Sequence, residues 1–125
     1  MRRQDFPLSE ENYYQIRAFE PGRLVINDQE YHQPVIVARR LLIKHWVVPT
    51  LDRLTLEALA PAIGLKPDVL LLGTGAKHHF LEAGLQAALL SAGVGIEVMS
   101  TQAACRTFNA LLLDGRHVVA ALMVS

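Results

Sequence analysis

The sequence predicts an α/β domain of three layers around a mixed sheet, a β-rich N-terminal half followed by a βαβ-α-β half. Three observations predict it. Residues 16–48 are short apolar or alternating runs broken by Pro21-Gly22, Asn27-Asp28 and Pro34, the pattern of strands joined by tight turns. Residues 69–72 are all apolar, which suits a strand covered on both faces. A helical period over residues 80–92 then separates that strand from residues 95–99, the length of connection that joins parallel strands.

In the first half, Ile16-Arg17-Ala18-Phe19 alternates, and Arg23-Leu24-Val25-Ile26 is a short β-branched run. Glu30-Tyr31-His32, Val35-Ile36-Val37-Ala38 and residues 41–48 complete a meander of hairpins, with Trp46 inside the last strand and Pro49 closing it. The period then changes. Leu54, Leu56, Leu59, Ala60 and Ile63 fit a short helix, which Pro61 must break unless it starts a new turn. The next helix carries Leu81, Leu85, Ala88, Leu89 and Ala92 on one face, with Gly93 at the left-handed position after its end. Ser100 or Thr101 caps a helix to about Leu112, and residues 117–123 form a closing strand. Asp114-Gly115 is also a hairpin signal, but Ala104, Phe108, Leu111 and Leu112 keep helical spacing before it.

The 125 residues suit one domain, 1–125, large enough to bury roughly two-thirds of its unfolded surface. Twelve basic residues balance twelve acidic ones and are scattered, which argues against a nucleic-acid partner. Cys105 is the only cysteine, so no intrachain disulfide forms and a reducing compartment is expected. Met1-Arg2-Arg3 has no apolar run behind it and does not read as a secretory signal. The apolar stretch at 118–124 is far shorter than the ~20 residues of a membrane span. The expectation is a soluble, cytoplasmic chain whose membrane contact, if any, is peripheral.

Gly73-Thr74-Gly75 lies at the carboxyl end of a strand, where open α/β sheets place their ligands. Its backbone donors and the following helix start suit a small anion; the alternative is a structural tight turn. A dinucleotide fingerprint would place its third glycine at His78, and Lys77 lacks the flanks of a phosphate-binding loop, so no nucleotide cofactor is expected. Thr101, Cys105 and Asn109 recur at i, i+4 and i+8 and share one stripe of a helix, with Gln102 and Arg106 beside it. Such a stripe usually marks solvent or a neighbouring loop. Its functional version puts Arg106 on a pocket floor near Gly73-Thr74-Gly75, holding a carboxylate or phosphate in two-point contact. Its structural version has Arg106 satisfying loop carbonyls or Glu97. Cys105 as a nucleophile would need a depressed pKa and a histidine partner, whereas a buried cysteine is commonly a simple core residue. His78-His79 are adjacent, not at the i, i+4 spacing of helical zinc pairs, so no metal site is expected.

Taken together these residues resemble the Mth938-like domain family of uncharacterised proteins, which is related to mitochondrial complex I assembly factor 3. The resemblance is carried by residues 22–31 and 35–37, Trp46, Leu71-Leu72-Gly73-Thr74-Gly75 and Gly95-Ile96-Glu97-Val98-Met99. It continues through Thr101, Ala104-Cys105-Arg106-Thr107-Phe108-Asn109 and Asp114-Gly115-Arg116. It implies an α/β domain with a mixed sheet, no catalytic residues, and a non-enzymatic role bringing respiratory complex subunits together. Two readings follow for this chain. One is an interaction or assembly module using a surface near the polar stripe or an exposed strand edge. The other is a small anionic-ligand binder or unrecognised enzyme whose pocket is formed by Gly73, Thr74, Gly75, Thr101, Cys105, Arg106 and Asn109.

Overall fold

Two sheets divide the strands of this protein, whose computed structural model describes residues 12–48 and 50–125. The smaller is an antiparallel meander of β1 (Ile16–Glu20), β2 (Arg23–Ile26) and β3 (Gln29–Tyr31). Its second turn is set by Asn27, which takes a left-handed backbone (φ 53°) while its side-chain oxygen accepts the Gln15 N–H at 2.8 Å. Asparagine suits that position because its short amide tolerates positive φ and bonds the nearby backbone.

The larger sheet contains β4 (Val35–Ala38), β5 (Leu42–Ile43), β6 (Val69–Gly73), β7 (Ile96–Met99) and β8 (Val118–Leu122), in the order β5-β4-β8-β6-β7. β4 runs antiparallel to β5 and β8, whereas β8, β6 and β7 are parallel. The mixed sheet and the βαβ-α-β order match the sequence expectation. Alternation along β8 assigns the two faces of the core. Val118, Ala120, Leu122 and Val124 pack with Leu71, with Ile16, Leu24 and Ile26 of the meander, and with Ala104, Phe108 and Leu112 of a long helix. Val119, Ala121 and Met123 pack on the opposite face with Leu70, Leu72, Leu59, Leu85 and Leu89. Each large side chain so buried stabilises the fold by about 1.5–3 kcal/mol.

Among the described residues the α-helices α1 (Ala60–Ile63), α2 (Ala83–Ser91) and α3 (Thr101–Leu113) cover these faces. Ser100 caps α3, its hydroxyl accepting the Ala103 N–H at 3.3 Å. The other end of α3 is tied down by Arg39, whose guanidinium donates to the Leu112 carbonyl at 2.7 Å. α3 lies across β6 and β8 and also contacts β1, so it joins the meander to the larger sheet.

Several expected boundaries shift. The strand expected over 41–48 shrinks to Leu42–Ile43, because Trp46 leaves the sheet. Its N–H bonds the Pro34 carbonyl, and its indole Nε1 donates to the Ala58 carbonyl at 2.8 Å from a site 3% exposed. The helix expected over 80–92 starts three residues later. Glu82 is extended there, and its carboxylate caps the Leu85 N–H at 3.1 Å. Pro61 sits in the first turn of α1, where its missing N–H is not needed, so this helix is shorter than the leucine pattern suggests. The hairpin alternative at Asp114-Gly115 does not form; α3 runs to Leu113 and Gly115 (φ 77°) ends it.

Candidate functional site

Gly73, Thr74 and Gly75 meet Thr101 where β6, β8 and the start of α3 converge. A Cβ on Gly73 would lie 2.7 Å from Thr101 Oγ1 and 2.9 Å from Leu122 Cδ2, so only glycine lets these elements approach. Gly75 has φ +100°, and a Cβ there would run into the Ser125 carbonyl oxygen. Thr101, fully buried, bridges the two strand ends. Its hydroxyl donates to the Met123 carbonyl at 2.6 Å and accepts the Gly75 N–H at 2.8 Å. Its own N–H donates to the Gly75 carbonyl at 2.9 Å. Thr74 closes the loop beyond: its hydroxyl donates to the Lys77 carbonyl at 2.6 Å and accepts the His79 N–H at 3.3 Å.

The stripe on α3 turns inward instead of towards solvent. Asn109 clasps the backbone of β1, donating to the Ile16 carbonyl at 2.8 Å and accepting the Ile16 N–H at 3.0 Å. That contact crosses the space between helix and meander and leaves no backbone group of Ile16 to an apolar neighbour. Cys105 lies between Thr101 and Asn109, 6% exposed. Burial pushes its thiol up to about 12, against a smaller downward pull from the Arg106 charge. The thiol is therefore protonated at neutral pH and sits as a small core group. Arg106 itself is exposed and, among the described residues, forms no ion pair with Glu97.

Beside this knot of bonds lies a cleft of about 630 Å³ lined by Leu51, Thr74, Lys77, His79, Phe80 and Glu82, among others. Of the seven residues proposed for a ligand pocket, Thr74 alone lines it. Cys105, Arg106 and Asn109 belong to α3 and do not reach it. Lys77 and His79, set aside from sequence for want of a phosphate-loop or zinc-pair spacing, line it together with Phe80, which sequence did not mark. The signal was their position immediately after the strand-ending glycines. Phe80 is 85% exposed and meets His78 edge to face at 4.8 Å. The acidic groups here are engaged: Glu82 caps α2, and Asp52 accepts the Thr50 hydroxyl at 2.6 Å.

An apolar groove of about 520 Å³ runs along the far side of α2, lined by Leu81, Leu89, Leu90, Val94, Ile96 and Val98. No group of three His, Cys, Asp or Glu side chains among the described residues is placed to hold a metal ion. No helix among them is long and apolar enough to cross a membrane.

Comparison with known proteins agrees with this architecture. A family model described as a protein of unknown function (DUF498/DUF598) matches residues 16–123. The zebrafish (Danio rerio) protein named NADH dehydrogenase [ubiquinone] 1 alpha subcomplex assembly factor 3 is 33% identical over 110 residues, 86% of this chain and 63% of its own length. This chain thus spans about six-tenths of that relative. The Francisella tularensis protein named 13 kDa major membrane protein is 23% identical over 82% of this chain and 84% of its own. Among solved structures, a Bordetella parapertussis protein is 35% identical with a TM-score of 0.84, covering 94% of this chain and 100% of that one. A Bordetella pertussis protein described as a Mth938-like domain is 29% identical with a TM-score of 0.75, covering 99% of this chain and 92% of that one.

Proposed function

The chain belongs to the DUF498/DUF598 family, and from that premise we propose that it is a non-enzymatic assembly factor that binds protein subunits of a respiratory NADH dehydrogenase. The observation that carries the proposal is the match to the zebrafish assembly factor across 86% of this chain. The geometry supports it from a second direction. The most reactive side chain of the stripe, Cys105, is buried and held protonated. The hydroxyls of Thr74 and Thr101 and the amide of Asn109 bond neighbouring backbone, so these residues build a rigid frame. In this reading the frame presents surfaces to partners, and Gly73, Thr74, Gly75 and Thr101 set the shape of one end of the sheet. The protein works from the cytoplasm, needs no cofactor, does not engage nucleic acid, and meets the membrane only peripherally, through the subunits it holds.

The test is affinity purification of the tagged chain from a host carrying a respiratory NADH dehydrogenase, with membranes solubilised and proteins identified by mass spectrometry. Subunits of that complex should be enriched over a tag-only control. If they are recovered equally with the bare tag, the proposal fails.

A further inference from the structure

β7 is an outer strand of the five-stranded sheet, and its free side has three properties that together specify an occupant. The first is a row of unpaired backbone groups. The Gly95 and Met99 carbonyls accept the Leu70 and Thr74 N–H groups, so the odd-numbered residues aim at β6. Backbone direction alternates along a strand, and Ile96 and Val98 therefore aim their N–H and C=O groups outward. No strand among the described residues pairs with them. The second property is the apolar groove between α2 and β7, into which the side chains of Ile96 and Val98 point, with Leu90 80% exposed at its rim. The third is Glu97, exposed on the opposite face of the same strand.

We infer that this edge receives an extended segment of a partner protein that adds to β7 as a sixth strand, with apolar side chains over the groove and a basic residue beside Glu97. An open edge satisfies its donors and acceptors best with another strand. The period of two in that strand sends alternate side chains to the α2 groove and to the Glu97 face. Opposite charges on neighbouring strands attract and like charges repel, so Glu97 selects a basic residue there. A second copy of this chain would bring a second Glu97 to the same edge and is the poorer occupant. This inference rests on the assembly-factor reading and names the surface that reading uses.

The probe is a ten-residue peptide alternating valine and lysine, with a valine–glutamate twin as its control. Amide NMR and hydrogen exchange are followed at low salt, where surface charge is least screened. The lysine peptide should slow exchange of the Ile96 and Val98 amides at least tenfold and bind at least tenfold more tightly than its twin. Glu97→Lys should reverse that preference, and Leu90→Gln, which trims the apolar rim without adding charge, should weaken the lysine peptide's apolar docking; both positions are exposed, so both variants fold. Equal binding of the two peptides, no binding, or protection at residues 74–82 instead overturns the inference. So does protection of Ile96 and Val98 that grows with protein concentration in the absence of peptide, which would make the occupant a second copy. Failure here leaves recovery of NADH dehydrogenase subunits untouched, whereas failure of that recovery leaves the peptide result standing, so the two readings fall separately.

Discussion

Replacing Thr101 by valine removes one hydroxyl and keeps the shape, which makes the knot at the strand ends directly measurable. The hydroxyl donates to the Met123 carbonyl at 2.6 Å and accepts the Gly75 N–H at 2.8 Å, in a position with no exposure. Thr101→Val leaves a buried backbone donor and a buried backbone acceptor unsatisfied, each costing about 1–3 kcal/mol. The expected loss is about 3 kcal/mol, or about 10 °C in Tm for a domain of this size. Thr101→Ser keeps both bonds and loses only a buried methyl, about 1 kcal/mol. Urea unfolding followed by circular dichroism should show the midpoint falling in that order at unchanged slope. A valine variant as stable as the serine variant would refute the role given to this hydroxyl.

Gly73→Ala should destabilise by about 1–3 kcal/mol, because its Cβ would press on Thr101 and Leu122, both buried; thermal unfolding within 1 °C of the parent would contradict this. Cys105 should resist iodoacetamide at pH 8 in the folded protein and react readily once urea unfolds it; equal rates in both would show the thiol is open. Its folded value of about 12 lies above the ordinary 9.0. The thiol's contribution to stability is therefore complete below pH 9 and is lost as pH climbs from about 9 to about 12, which urea titrations across that range would read. Arg106→Ala should change unfolding free energy by no more than about 0.5 kcal/mol, since the side chain is exposed; a loss above 2 kcal/mol would reveal a bond that holds the fold.

The second half of the fold was legible because its signals are local. Residues 69–72 are apolar without interruption, Ser100 stands before a helical run, and Gly93 and Gly115 fall where helices must end. What sequence could not convey is decided by distant partners. Trp46 reads as a strand residue until Ala58 offers a carbonyl to its indole. Thr101, Cys105 and Asn109 read as a solvent-facing stripe because polarity is visible in sequence, whereas the buried backbone that satisfies them is not. Ile16 lies 93 positions from Asn109, and Met123 lies 22 from Thr101. Gly73-Thr74-Gly75 reads as a place of close approach, and the groups that approach are Thr101 and Leu122 at Gly73 and the Ser125 carbonyl at Gly75. Lys77 and His79 are set aside in sequence because their spacing fits neither a phosphate loop nor a zinc pair; their place in a cleft at the end of β6 depends on the packing of Leu51, Phe80 and Glu82 around them.

Deleting the gene in a host with a respiratory NADH dehydrogenase, and resolving its membranes by native electrophoresis, tests the assembly role most directly. The proposed function predicts loss of the full complex and accumulation of partial assemblies, both restored by the intact chain. A full complex present at parental level and activity in the deletion strain would contradict it.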